Sequence, residues 1–448
     1  MVKVVSPFIY SGPIIHSLSL DKLQTFNNGA IVVSGKKIVH FSENAVLKDL
    51  QKQYGVADEN VHIMKKGQFL IPGFIDTHIH APQYPNNGLG YDMELLQWLE
   101  VYTFPLEKKY ADEEFAQRVY DTVVKRLLQN GTTTATYFAT IHPKGSVILA
   151  KSALKFGQRA FIGKVNMVIN SPPDYCESFD QSLTATRTCI NEILNLKSEL
   201  ITPIITPRFA VTCDMKLMKE LAKIANEFKI PIQTHVSENT AEVELVRQLY
   251  PDCRDYVDVY DKAGLVTEKT ILAHGIYLSR EEITTLKDRK CTISHCPNSN
   301  VLLQSGLCRT RELLKSGVNV SLGTDCSGGC SVSMLDAIRL AMMSSIQAQF
   351  NKLGERLSYG EAFYMATLAG AQGMELLTIV VFKCLGIADR TGNFMVGKDF
   401  DAVLVDMENN SATDLLLDYS INELFQKFLY LGDDRMIAKV FVAGAQVI

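Results

Sequence analysis

From Phe69 onward the chain alternates between two kinds of apolar pattern. Short apolar runs of strand length are separated by segments whose apolar residues recur every three or four positions. Phe115, Val119, Val123, Leu127 and Leu128 form one helical stripe over 112–130. Asp112, Glu113 and Glu114 open that segment, where the helix dipole favours negative charge, and Asn130-Gly131 supplies a stop. Leu217, Leu221, Ile224 and Phe228 form another stripe over 214–228, which Asp214 is placed to cap. Between such helices lie eight strand candidates: Phe69–Asp76, Thr132–Phe138, Ala160–Val168, Ile201–Arg208, Pro231–His235, Thr270–Ala273, Cys291–Ser294 and Asn319–Thr324. Strands alternating with helices imply a parallel sheet, and eight such units predict a closed, TIM-like (β/α)8 barrel. A doubly wound open sheet is the alternative, although no G-x-G-x-x-G follows any of these strands. Two more helices are expected near 333–353 and 359–376.

The two ends of the chain read differently. Ala30–Val33, the turn Ser34–Lys37 and Ile38-Val39 predict a hairpin, and Asn393–Lys398, Asp401–Asp406 and Ile437–Val442 return to strand-like patterns. The α/β barrel is therefore expected over 69–385, beside a small β-sandwich domain built from 1–68 plus 386–448.

Composition narrows the class. A formal net charge of −4, scattered along the chain, makes no electrostatic case for nucleic acid or anionic membrane. The most apolar run, Leu376–Phe382, is far short of the roughly 20 residues of a spanning helix. The 10 cysteines include no C-x-x-C, and the opening MVKVVSPFIY is unlike a secretory leader. These features predict reduced, mostly buried thiols in a cytoplasmic protein, with Cys326 and Cys330 as buried or loop thiols. His16, His40 and His62 read as packing or surface residues, and His142 and His295 as structural ones.

Active sites of such barrels sit at the C-terminal ends of the strands. Here the first strand candidate leads into Asp76-Thr77-His78-Ile79-His80, and alternate residues of a strand share a face. The fourth ends at Arg208-Phe209, the fifth at His235 with Glu238 three residues on, the sixth at His274 and the eighth at Asp325. Metal-binding and acid–base residue types thus fall at one rim. His78, His80, His235 and Asp325 can hold one zinc and leave room for a water, whose pKa the metal would lower toward ~7. Glu238 is then placed to shuttle a proton, with His274 and Asp325 orienting the nucleophile.

PGFIDTHIH, HVSE, LAHG and GTD resemble the mononuclear aminohydrolases of the amidohydrolase superfamily. Longer strings, among them HAPQY at 80–84, WLEVYTFP at 98–105, NGTTTATYFATIH at 130–142, TPRF at 206–209 and HCPNSN at 295–300, resemble its guanine-deaminating members over nearly the whole chain. The resemblance implies a zinc-dependent deaminase with guanine as small-molecule substrate and a homodimeric assembly. It puts the metal on His78, His80, His235 and Asp325, the proton shuttle on Glu238, and purine recognition on Gln83, Arg208 and Phe209, with His274 beside the reacting carbon.

Other readings are distinguishable. A related aminohydrolase acting on another heterocycle would share the metal set but not Gln83 and Arg208. A two-metal cyclic-amide hydrolase would want a lysine where Arg208 stands, and a cytidine-deaminase type needs H-x-E and P-C-x-x-C motifs that this chain lacks. A non-catalytic scaffold of the same fold would have shed ligands that are kept here. One departure from the resemblance is the apolar insertion Leu376–Leu385, expected outside the barrel rim and covered by the small domain or a second subunit.

Overall fold

The computed structural model describes residues 6–371, 385–409 and 413–448. The run Phe69–His80, which reads as one strand, is two. Gln68–Pro72 pairs antiparallel with Ala402–Asp406, and Phe74–His80 pairs parallel with Thr132–Phe138. Gly73 lies between them, and a Cβ there would come within 2.2 Å of the Thr133 side chain. Only glycine lets the backbone cross so closely from one sheet to the other. Phe69–Pro72 and Phe74–His80 are buried throughout, so the apolar run shows no alternation to mark the break.

The first of these strands belongs to an eight-stranded sheet made by both chain ends. Phe8–Ser19, Lys22–Ser34 and Lys37–Glu43 form its antiparallel meander, with Val61–Ile63 alongside the first. Ala402–Asp406, Ile437–Val442 and Ala445–Gln446 continue it beyond Gln68–Pro72. Its core is rich in aromatics, including Phe8, Tyr10, Phe394, Phe400 and Phe441.

The remaining strands are parallel. Phe74–His80, Thr132–Phe138, Arg159–Gly163 and Ile201–Pro203 form one four-stranded sheet. Ile232–Val236, Thr270–His274, Thr292–His295 and Asn319–Leu322 form a second. The strands expected over 160–168 and 201–208 are each interrupted, and their outer parts, Val165–Asn166 and Thr206–Pro207, pair separately. Pro203 and Pro207 have no N–H to give a ladder, which accounts for the short pieces on the second of these. Backbone bonds join the two four-stranded sheets at both edges. Ile205 N–H donates to Pro231 O and Gln233 N–H to Ile205 O, each at 2.9 Å; at the other edge Asp325 N–H donates to His78 O at 2.8 Å and His80 N–H to Cys326 O at 3.0 Å.

The helices follow their stripes. Glu113–Gln129 is capped by Asp112, whose carboxylate accepts from the N–H groups of Glu114 and Phe115. Met215–Phe228 is capped by Asp214 in the same way. The helix expected near 333–353 is Met334–Phe350; that expected over 359–376 is described as Tyr359–Met365 and Leu368–Ala371. Apart from Leu385, which is buried, the apolar insertion lies outside the described residues. Among the described residues no helix is long and apolar enough to cross a membrane.

Candidate functional site

The residues singled out at the strand ends converge. His78 Nε2 lies 3.1 Å from Asp325 Oδ1, and His80 Nε2 lies 3.5 Å from the same oxygen. His80 and His235 face each other through their Nε2 atoms at 3.1 Å. His274 Nε2 is 3.3 Å from Glu238 Oε2 and 3.8 Å from Asp325 Oδ2. The backbone helps to bring them together: Ser237, His274 and Asp325 adopt φ of 49°, 73° and 47°. Non-glycine residues seldom take that left-handed conformation. It makes three of the exits from the second parallel sheet turn sharply at the rim.

Surrounding groups fix the ring orientations. His235 Nδ1 lies 2.6 Å from the Arg208 carbonyl, which can only accept, so Nδ1 carries the hydrogen and Nε2 keeps its lone pair toward the cluster. His274 Nδ1 is held by Asn300 Oδ1 at 2.9 Å. Asp76 accepts from Thr324 Oγ1 at 2.5 Å, from Thr324 N–H at 3.0 Å and from His78 N–H at 3.2 Å, tying the ends of Phe74–His80 and Asn319–Leu322 to each other. Glu242 accepts from the N–H groups of Glu238 and Asn239 and from the Tyr256 hydroxyl, bracing the turn that carries Glu238.

Burial dominates the electrostatics. It pushes the imidazoles of His78, His80 and His235 toward the neutral form, the last two strongly. For His274 burial acts the same way but is outweighed by Glu238 and Asp325, which favour the imidazolium. Burial lifts Glu238 to about 8, against the pull of His274. Asp325 is held at about 2, because the surrounding imidazoles outweigh its own burial. Neutral imidazole nitrogens and an ionised carboxylate thus crowd into one buried space. Converging lone pairs of this kind are costly unless a cation lies among them. Nitrogen donors with one carboxylate suit zinc, so the donor set fits that metal.

The cluster opens into a narrow cavity. His80, His235, Glu238 and Asp325 line its base; Gln83, Arg208 and Phe209 line it too, with Leu95, Trp98, Leu99 and Leu303 as apolar walls. Glu107 stands behind this lining, fully buried: Gln83, Arg208 and Tyr175 all donate to its carboxylate. It closes a helical stretch through Leu95–Trp98, the π-helical turn Leu99–Thr103 and Phe104–Glu107. Pro105 cannot give the preceding turn an N–H, in keeping with the widened π turn just before it. Glu107, Tyr175, Asn300, Glu242 and the apolar wall were not singled out from the sequence. Of these, Trp98 and Leu99 lie in the string WLEVYTFP, which ends two residues before Glu107, and Asn300 ends HCPNSN; Glu107, Tyr175 and Glu242 fall in none of the strings. His142 and His295 stay outside the cluster: His295 is buried and held near 3 by burial, and His142 precedes the helix Pro143–Phe156.

Residues 69–447 match the amidohydrolase family. Guanine deaminase of Rattus norvegicus is 44% identical over 448 residues, covering 98% of this chain and 96% of that protein. A probable guanine deaminase of Schizosaccharomyces pombe is 45% identical, over 98% of this chain and 83% of its own length. Among solved structures, guanine deaminase from C. acetobutylicum with guanine bound in its active site superposes with a TM-score of 0.90 at 37% identity, over 99% of this chain and 100% of that one.

Proposed function

Because this chain belongs to the amidohydrolase family, we propose that it hydrolyses guanine to xanthine and ammonia with one zinc ion per chain. The observation that carries the reading is that Gln83, Arg208 and the imidazole–carboxylate cluster line one cavity. The relatives named above support guanine as the substrate.

His78, His80, His235 and Asp325 would hold the metal, and zinc there would supply Lewis acidity and lower the pKa of water toward ~7. Glu238, in the cavity lining beside the metal ligands and 3.3 Å from His274, is placed to shuttle a proton: it takes one from the attacking water and delivers one to the departing amine. His274, fixed by Asn300 and paired with Glu238 and Asp325, holds both carboxylates in place. Gln83 and Arg208 hydrogen-bond the polar edge of the purine, and Phe209 gives its ring an apolar contact. Leu95, Trp98, Leu99 and Leu303 keep bulk water away from the reacting atoms.

The architecture goes with this reading. The hydrogen bonds at both edges of the two parallel sheets support a closed (β/α)8 barrel. The stacking of Phe8 on Phe441, from strands that are not neighbours in the sheet, supports a sheet of the chain ends curled into a small β-sandwich. The division between the two parts then falls at Gly73, with Gln68–Pro72 on the sandwich side.

The test follows ammonia and xanthine after guanine is added to zinc-loaded protein. Wild type is expected to turn over and to stop when a chelator removes the metal. Glu238→Gln should keep its zinc and lose about 10²–10⁴-fold in kcat. No xanthine from the loaded wild type would refute the reading. Loss of zinc in Glu238→Gln would make Glu238 a ligand and not the shuttle.

A further inference from the structure

Glu107 does not line the cavity, yet the cavity's polar groups converge on it. Gln83 Nε2 donates to its Oε1 at 2.9 Å, and Arg208 Nη1 donates to its Oε2 at 2.8 Å. The Tyr175 hydroxyl donates to the same Oε2 at 2.7 Å. The Arg208 guanidinium also lies 5.2 Å from the ring centroid of Phe104, three residues before Glu107 on the same short helix. Building on the guanine reading above, we propose that Glu107 is a positioning residue. It sets the donor–acceptor order of the pocket and so selects a purine with a carbonyl beside a ring N–H.

A carboxylate paired with a guanidinium only accepts, so each group facing it must donate. The Gln83 carboxamide has one orientation that satisfies this. Its nitrogen turns to Glu107, and its oxygen is what remains for a ligand. Arg208 spends one N–H on Glu107 and keeps the others. The pocket therefore presents an acceptor from Gln83 together with donors from Arg208. That pair is complementary to a ring N–H next to a carbonyl, which is the edge guanine carries. A neutral amide at position 107 would itself donate. Gln83 would then be free to turn its nitrogen outward, and both pocket groups would offer hydrogens to a substrate that needs one acceptor.

A buried carboxylate could instead serve stability alone, so the test needs a readout that stability does not move. Guanine is compared with 2-aminopurine, which keeps the amino-bearing carbon but lacks the carbonyl and the ring N–H. The second purine is read as a substrate, or as a competitive inhibitor if it is not turned over. With the zinc-loaded enzyme, Glu107→Gln should lower kcat/KM for guanine by about 10–100-fold, mostly through KM, the size expected for losing a charge-assisted hydrogen bond. Handling of 2-aminopurine and zinc content should barely change, so the preference for guanine collapses. Tyr175→Phe removes a donor to Glu107 without touching Gln83 or Arg208, and it should leave the preference intact. Should Glu107→Gln fail to fold, Glu107→Asp, whose shorter side chain cannot reach both partners, is read in the same way. An unchanged preference in the Glu107 variant, or an equal collapse in Tyr175→Phe, overturns the inference. Wild type that makes no xanthine overturns the functional reading and this inference with it, whereas active wild type with an unmoved preference overturns the inference alone.

Discussion

His16, in the sheet of the chain ends, is buried with both ring nitrogens engaged. Nδ1 accepts from the Phe394 N–H at 3.0 Å, and Nε2 meets Gln24 Oε1 at 3.2 Å. The first bond needs a lone pair, so the ring is built in as neutral. Burial, with Lys398 adding to it, lowers its pKa from 6.5 to about 4. The unfolded chain therefore takes up a proton near 6.5 while the folded one resists until about 4. The stability this supplies is complete above the unfolded value and is lost as pH falls toward the folded one. Between pH 7 and pH 5 the loss should be about 2 kcal/mol, which urea unfolding can read. His16→Gln should be less stable at pH 7 and should lack this part of the pH slope; equal slopes in the two proteins would contradict the assignment. The sequence offered His16 as a packing residue or a surface one, and packing is what the structure shows. The strand-end residues were legible because a strand's exit fixes where its last side chains go. Glu107 was not, because its partners Gln83, Tyr175 and Arg208 stand 24, 68 and 101 positions away.

Elements were legible where one face is buried and the other wet. The stripes over 112–130 and 214–228 became helices within a residue or two of their expected ends, with Asp112 and Asp214 as caps. The strands were harder, because a run buried on both faces carries no alternation to show where one sheet ends and another begins. Gly73 is the hinge in that run. Gly73→Ala would force its Cβ against Thr133 at 2.2 Å, in a place where neither backbone can yield without spoiling a strand pair. Overpacking of that kind costs about 1–3 kcal/mol. The variant should show a lower Tm and weaker zinc retention, since the strand after the hinge carries His78 and His80. Adding Thr133→Ala should recover part of both, because it removes two of the three close contacts. A Gly73→Ala protein with normal Tm and normal metal affinity would mean that the crossing has slack.

At the scale of the whole molecule, Arg159 joins the parallel strands to the sheet of the chain ends. It opens the strand Arg159–Gly163, and its guanidinium donates to Asp401 at 3.1 Å and to Asp399 at 3.0 Å, all three fully buried. Lys37 adds a fourth charge on Asp399 at 2.9 Å. Nothing near Arg159 in the sequence foretold this, since its partners lie 240 and 242 residues on. Arg159→Met would leave buried Asp401 without its cation and Asp399 with only Lys37 and the more distant Arg390, a loss of about 3–5 kcal/mol that should appear as a large fall in Tm. Combining it with Asp399→Asn and Asp401→Asn should restore much of the loss, because an unpaired buried charge costs far more than a neutral group. A triple variant as unstable as the single one would show that the shape of the guanidinium, not its charge, is what matters there. The crossing at Gly73 also has a meaning in time. The ribosome makes Gln68–Pro72, the strand leading into the histidine-bearing one, more than 300 residues before its antiparallel neighbour Ala402–Asp406. A nascent chain must therefore carry Gln68–Pro72 half-paired, next to its first two metal-binding histidines, until Ala402–Asp406 has emerged.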